Sequence, residues 1–446
     1  MQFEVNSFVK KQIDQISTEG WVALRPKLKR LVLFLPFELP SIILALLIVL
    51  FIRIISPLII VRIGKIDVGR IGGIYQGEWY LTEKADGKHQ GRYYDIFYFD
   101  KSTNHVNMQW KAMWMRALPF IPGSKFWQKM LRLNRLFPRY EKHEIAYQNV
   151  YPDLMTWQKH IKNPQSRKVE ACNDRLISIL KNAKPNIFFN NKEIKDGQIV
   201  LENLGIPKSE QYICFHARDS EYLDSVLKTM DWSYHDYRDS SIQNYIPAAE
   251  EMANRGYYAV RMGAIVKDRI ASSHPRVIDY ATNGNRSDFN DIYIGSHCHF
   301  FLCSDGGIST IPEFFRKPVV YANWSRINIL ITASGIISGL VIFKKYYLKK
   351  ENRFLTFSET LDIDLSKRDT NEILSGLNLQ LIESTPEEIL AVTIEMDERL
   401  NGTWETTEED EKLQQRFWDL LGPDKLKSPD LRIGAKYLRD NQELLK

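Results

Sequence analysis

From Gln211 to Asn323, short apolar runs alternate with helix-like stretches, and this alternation constrains the chain more than any other feature. YICFHARDS, YYAVRMG, HFFLCSD and KPVVYAN read as strands, with IQNYIPAAEEMANR and GGISTIPEFFR as the helical or loop-to-helix segments between them. Strands separated by helical crossovers at this spacing predict a parallel sheet, hence an α/β fold. Ser240 or Ser241 is placed to cap the first helix, and Gly256 to stop it. Further on, Thr385-Pro386-Glu387-Glu388 spells a capping box with proline at the first helical position. That helix is expected to end at Gly402, and another to cover Glu408 to Leu421.

Upstream, LIIVRIGKI reads as a strand running into a glycine-studded turn, DVGRIGG, through Gly73. Residues 75–205 alternate apolar and polar stretches like one more α/β domain. At 446 residues the chain has core enough for two or three domains. The expected limits are 57–207 and 208–400 for two α/β domains and 401–446 for a helical tail, with 1–56 as a separate N-terminal segment. Apolar residues at 44% and charged residues at 26% exclude a disordered chain. A formal charge of +5 is too diffuse for a nucleic-acid binder. Four cysteines, Cys172, Cys214, Cys298 and Cys303, make no disulfide framework and point to a reducing compartment. Aromatics reach 12%, a level that suits core packing and also suits stacking on sugars.

Residues 31–61 are overwhelmingly apolar, with Lys10, Lys11, Arg25, Lys27, Lys29 and Arg30 before them and Arg53, Arg62 and Lys65 in or after them. Pro36, Glu38 and Pro40 interrupt the run, and its longest clean stretch, Ser41 to Ile52, falls short of the roughly 20 residues a spanning helix needs. Basic residues on both flanks place both ends in the cytoplasm. The expectation is therefore a membrane-associated helical hairpin bent at Pro36–Pro40.

Chemistry-bearing residues gather at the predicted strand ends. Ser304, Asp305, Gly306, Gly307, Ser309 and Thr310 follow one strand and open a helix, as a phosphate-binding loop does, with Glu313 one turn on to accept a sugar hydroxyl. His216, Arg218 and Asp219 end another strand, where an arginine fork suits a diphosphate and Asp219 can orient it or act as a base. Arg238 and Asp239 repeat the Arg–Asp theme, and Arg261 and Gly263 end a third strand. Convergence of these cations on one sheet edge implies an anionic ligand, most simply a nucleotide diphosphate. His297, Cys298, His299 and Cys303 have poor chelate spacing for alternating strand positions, so no metal site is expected.

Taken together, VRIGKIDVGRIGG, HARDSEYL, YHDYRDS, VIDYATNGNRSDFNDIYI, FLCSDGG…KPVVYAN and STPEEILAVTIEMDERLNGTW resemble a family of bacterial glycosyltransferases encoded in surface-polysaccharide gene clusters. The resemblance runs from about Val61 to Trp404. The HxR motif is also similar to that of fucosyltransferases with two Rossmann-like domains (GT-B). Glu221 holds the place of that motif's acid, and Asp219 that of its second arginine. The SDGG loop resembles the donor-phosphate loop of heptosyltransferases. The resemblance implies two Rossmann-like domains, the N-terminal one for the acceptor and the C-terminal one for the nucleotide sugar. It implies transfer to a lipid-linked glycan at the cytoplasmic face of the bacterial inner membrane, with no cofactor beyond the donor and no nucleic-acid partner. Arg70 and Gly72 would then face the acceptor, and Asp219, Asp239 and Glu78 are the candidate bases. A non-catalytic glycan-binding or assembly protein and a nucleotide-sugar epimerase stay open as alternatives.

Overall fold

In the computed structural model, which describes residues 21–66, 75–99, 107–145, 183–226, 231–327, 338–361, 363, 370–420 and 431–446, the chain divides into two compact units. The first comprises residues 1–66, 89–102 and 118–146, and the second residues 67–88, 103–117 and 147–446. Residues 67–88 and 103–117, expected within the 57–207 domain, thus cluster with the C-terminal part of the chain.

In the first unit, Trp21–Ile54 forms one helix of 34 residues. The hairpin expected at Pro36–Pro40 is corrected by this: the helix runs through both prolines. A proline ring fixes φ near the helical value, so each removes one N–H donor without reversing the chain. Among the described residues no helix is long and apolar enough to cross a membrane. Ala45, Val49 and Ile52 recur at i, i+4 and i+7 and are buried with Met130 and Leu131 of the helix Ser124–Asn134. The same cluster takes in Ile63 of β1 (Ile60–Ile66) and Tyr98 of β2 (Tyr93–Phe99), which pair in parallel. Arg62 forks onto the Asp95 carboxylate of the neighbouring strand, 2.6 Å to each oxygen.

The second unit is built on the predicted parallel sheet. Its strands are β3 (Tyr212–His216), β4 (Tyr258–Arg261), β5 (Val277–Ile278), β6 (Phe301–Cys303), β7 (Val319–Trp324), β8 (Gly339–Phe343) and β12 (Leu431–Ile433). They lie in the order β12-β8-β7-β6-β3-β4-β5, every pair parallel. Phe215, Val260, Leu302, Val320 and Val341 carry its fully buried centre. Gly339 lets β7 and β8 approach: its φ is +144°, and a Cβ there would stand 1.9 Å from the Val319 carbonyl oxygen. A small antiparallel sheet of β9 (Lys345–Leu348), β10 (Arg353–Phe354) and β11 (Leu379–Ile382) follows β8 in the chain.

The helix ends obey their caps. Ser241 accepts from the Gln243 N–H and opens a 3-10 turn, Ile242–Tyr245, which passes into the helix Ile246–Asn254. The Thr385 hydroxyl accepts from the Glu388 N–H and the Glu388 carboxylate from the Thr385 N–H, so Pro386–Asn401 begins on a complete capping box. Gly402, at φ +71°, ends it. An α/β fold with a parallel sheet is therefore present in the second unit, whereas the described residues of the first contribute a two-stranded parallel sheet.

Candidate functional site

An open parallel sheet leaves a crevice where consecutive connections depart to opposite sides. Here that point lies between β3 and β6. From β3 the chain moves outward to β4 and β5, then returns to lay β6, β7 and β8 on the other side. The two motifs singled out by sequence meet at this point: the Arg218 N–H donates to the Ser304 hydroxyl at 2.7 Å. A Cβ on Gly306 would lie 3.7 Å from the Arg218 Cβ, an ordinary contact, so close packing alone does not demand glycine there.

A cavity of about 550 Å³ opens beside this junction. Ala217 and Asp219 line it from the end of β3, Asp236 and Asp239 from the following loop, and Lys267, Lys344 and Glu383 from farther along the chain. Carboxylates outnumber cations in this lining.

Arg218 lies between two lining residues in the chain and is itself buried. Its Nη1 donates to the His235 carbonyl at 3.2 Å and pairs with the Asp239 carboxylate, whereas its buried Nη2 has no acceptor among the described residues. Burial, with the like charge of Arg238 next in weight, pushes this guanidinium down to about 10 despite Asp305 and Asp236. Burial also lowers His216, whose Nδ1 bonds the Met262 carbonyl at 2.9 Å.

The other expected ligands of a phosphate have partners inside the protein. Arg261 is almost wholly buried; its Nη1 bonds the Asp268 carbonyl at 2.5 Å and Asp279 at 3.3 Å, while its buried Nε, like the Arg218 Nη2, has no acceptor among the described residues. Arg238 and Arg326 both reach Asp305, at 2.7 and 3.1 Å. Burial alone would raise the Asp305 carboxyl, but the two guanidiniums hold it well below the usual range. The SDGG loop makes a three-residue 3-10 turn, Gly307–Ser309, and a five-residue helix, Thr310–Phe314. Ser309 donates its hydroxyl to the Gly306 carbonyl, Thr310 is buried, and Glu313 accepts from the Tyr321 hydroxyl. A Cβ on Gly263 would come within 2.5 Å of Val266, so glycine there serves the packing of its own loop.

Among the candidate bases, Asp219 accepts backbone N–H bonds from Glu221 at 3.1 Å and Lys267 at 3.0 Å, and Asp239 is taken up by Arg218. Glu78 belongs to the second unit, fully buried, 2.5 Å from Arg316 and bonded to the Asn186 N–H; it does not line the cavity. Arg70 and Gly72 lie outside the described residues. His297 ends the helix Asp288–His297 rather than alternating along a strand, and among the described residues no three His, Cys, Asp or Glu side chains gather as metal ligands.

Sequence reasoning passed over Asp236, Arg326 and Lys344. Burial raises the Asp236 carboxyl above its usual value, with Arg218 opposing. Lys344 is buried, donates to the Tyr237 carbonyl at 3.1 Å and to the Asp239 carbonyl, and is pushed by burial down to about 8. A signal for two of them existed: Arg326 and Lys344 follow the C-terminal ends of β7 and β8, just as Arg218 follows β3.

No protein-family model matches the chain, and no curated protein matches it in sequence. Among solved structures, it is similar to the glycosyl transferase family 9 protein of Veillonella parvula at 13% identity, with 77% of this chain and 97% of that one covered and a TM-score of 0.38. It is also similar to the ADP-heptose LPS heptosyltransferase II of E. coli, at 11% identity, 71% and 98% coverage and a TM-score of 0.34. A third likeness is to an E. coli heptosyltransferase solved with ADP, at 11% identity, 71% and 97% coverage and a TM-score of 0.30.

Proposed function

We propose that the chain is a glycosyltransferase that moves a sugar from a nucleotide-sugar donor to a lipid-linked glycan, in the synthesis of bacterial surface polysaccharide at the cytoplasmic face of the inner membrane. The reading includes a GT-B architecture, in which the parallel sheet of the second unit is the nucleotide-binding domain. The observation that carries it is Arg218. A buried guanidinium N–H without an acceptor costs about 1–3 kcal/mol, and an anion supplied by a ligand removes that cost. Its position at the switch point of a parallel sheet is where such sheets bind nucleotides.

In this reading Arg218 stabilises the diphosphate as it departs, the main charge that develops in the transition state. The cavity carboxylates accept hydrogen bonds from sugar hydroxyls. Arg238, Arg326 and Asp305 hold the loop on which Arg218 rests and do not touch the donor. The general base is a carboxylate, and Asp236, raised by burial and lining the cavity, is better suited than Asp219 or Asp239. The reading needs no metal for leaving-group stabilisation.

Thermal unfolding of the purified protein against UDP, GDP, CMP, dTDP and ADP, with and without magnesium, tests it. A ligand at a hundred times its dissociation constant adds about 2.7 kcal/mol, a shift of several degrees. One nucleotide is expected to raise Tm, and Arg218→Ala to abolish the rise. No rise with any nucleotide overturns the reading in favour of the non-catalytic glycan-binding protein.

A further inference from the structure

The N-terminal helix has one covered side. Ala45, Val49 and Ile52 are buried, while Ile43, Leu47, Leu50 and Phe51 are exposed on the same turns, Phe51 at 60%. Ile54 and Leu58 continue the bare surface, at 75% and 74%. A helix apolar all round belongs inside a core or in lipid, and a patch of this extent exceeds the scattered apolar exposure of an ordinary soluble surface.

Two polar side chains interrupt the apolar run of the helix. Glu38 pairs with Lys129 at 2.5 Å, and Arg53 bonds Asn134 at 2.9 Å. Between them Leu39 to Ile52 measures about 21 Å along the axis, short of the roughly 30 Å hydrocarbon thickness of a bilayer. This geometry suits a helix lying in the interface.

Charge identifies the occupant. The first unit carries 17 Lys and Arg against 8 Asp and Glu, formally +9, leaving 43 against 47 in the rest of the chain. Lys125 and Arg132, on the helix packed against the N-terminal helix, are exposed, as are Arg139 and Lys142 beyond it. A second copy of the same unit would bring two such charges together. An anionic lipid surface instead takes up the apolar face and the positive charge at once.

We infer that the first unit docks on anionic bilayers through the exposed face of Leu39–Leu58, inserted at the headgroup level without spanning. This goes beyond the catalytic proposal and needs neither donor nor acceptor. The experiment is flotation of the full chain with two vesicle types, phosphatidylcholine alone and equal parts phosphatidylcholine and phosphatidylglycerol. The protein is expected to float with the mixed vesicles at least tenfold more than with the neutral ones, and less so as salt rises. The double variant Leu47→Glu/Phe51→Glu changes two exposed positions, so its Tm should match the parent while flotation is lost. Retained flotation of that variant overturns the inference. So does equal binding to both vesicle types, or a vesicle-free dimer that the double variant converts to monomer. Nucleotide binding is read separately, so failure of either proposal leaves the other standing.

Discussion

Asp305 shows how an anion-rich strand end can be structural. Its carboxyl is held far below the usual range by Arg238 and Arg326, whereas in the unfolded chain it titrates near 4. The unfolded state therefore binds more protons as pH falls below about 4, and the stability this group confers, fully present above that value, is lost toward the folded-state value. Asp305→Asn leaves two half-buried guanidiniums without their buried counter-charge. It is expected to cost about 3–5 kcal/mol at neutral pH, read by urea unfolding, with the gap to the parent narrowing below about pH 4. Sequence could place Arg218, Asp305 and Arg261 at strand ends, because runs such as FLCSD carry their own boundaries. It could not say that these cations face carboxylates of the same chain. Pairing partners such as Asp279 and Arg326 are fixed by tertiary register, which no local spacing encodes.

At the scale of elements, local chemistry was legible wherever it is self-sufficient. The capping box at Thr385 and the stop at Gly402 form as spelled, since every atom they need lies within one turn. Thr385→Ala is expected to cost about 1 kcal/mol, measured as a lower urea midpoint with unchanged slope. The N-terminal helix was not legible. Pro36 and Pro40 argue for a bend locally, yet the chain from Ser41 onward packs Ala45, Val49 and Ile52 on Met130 and Leu131, residues some eighty positions away. In the apolar run Ile327 to Phe343, small and polar residues such as Ser334, Gly335, Ser338 and Gly339 suit a loop or strand, and β8 occupies its last five residues. Lys344 escaped notice because the strand it ends was not assigned to the same sheet edge.

For the whole molecule, the cysteines report on global rather than local opening. Cys214, Cys298 and Cys303 are free and fully buried in the main core, and burial pushes the Cys214 and Cys303 thiols well above their usual value. Reaction of these three with a thiol reagent is expected to proceed at the rate of global unfolding and to rise with denaturant in step with loss of helical circular dichroism. Faster labelling in native buffer would mean that the central strands open on their own.

The order of strands also sets a schedule for biosynthesis. β3 pairs with β4 within fifty residues, but its other neighbour, β6, emerges later still, and β12 closes the edge at β8 only when residue 433 has been made. At ordinary translation rates the roughly 215 residues from the end of β3 to β12 take about ten to forty seconds. Through that interval the growing sheet presents an open, apolar edge, and the bare N-terminal helix is already outside the ribosome. Newly made chains of this protein are thus exposed to aggregation at both ends of their synthesis, and their yield should depend on how soon each surface is covered.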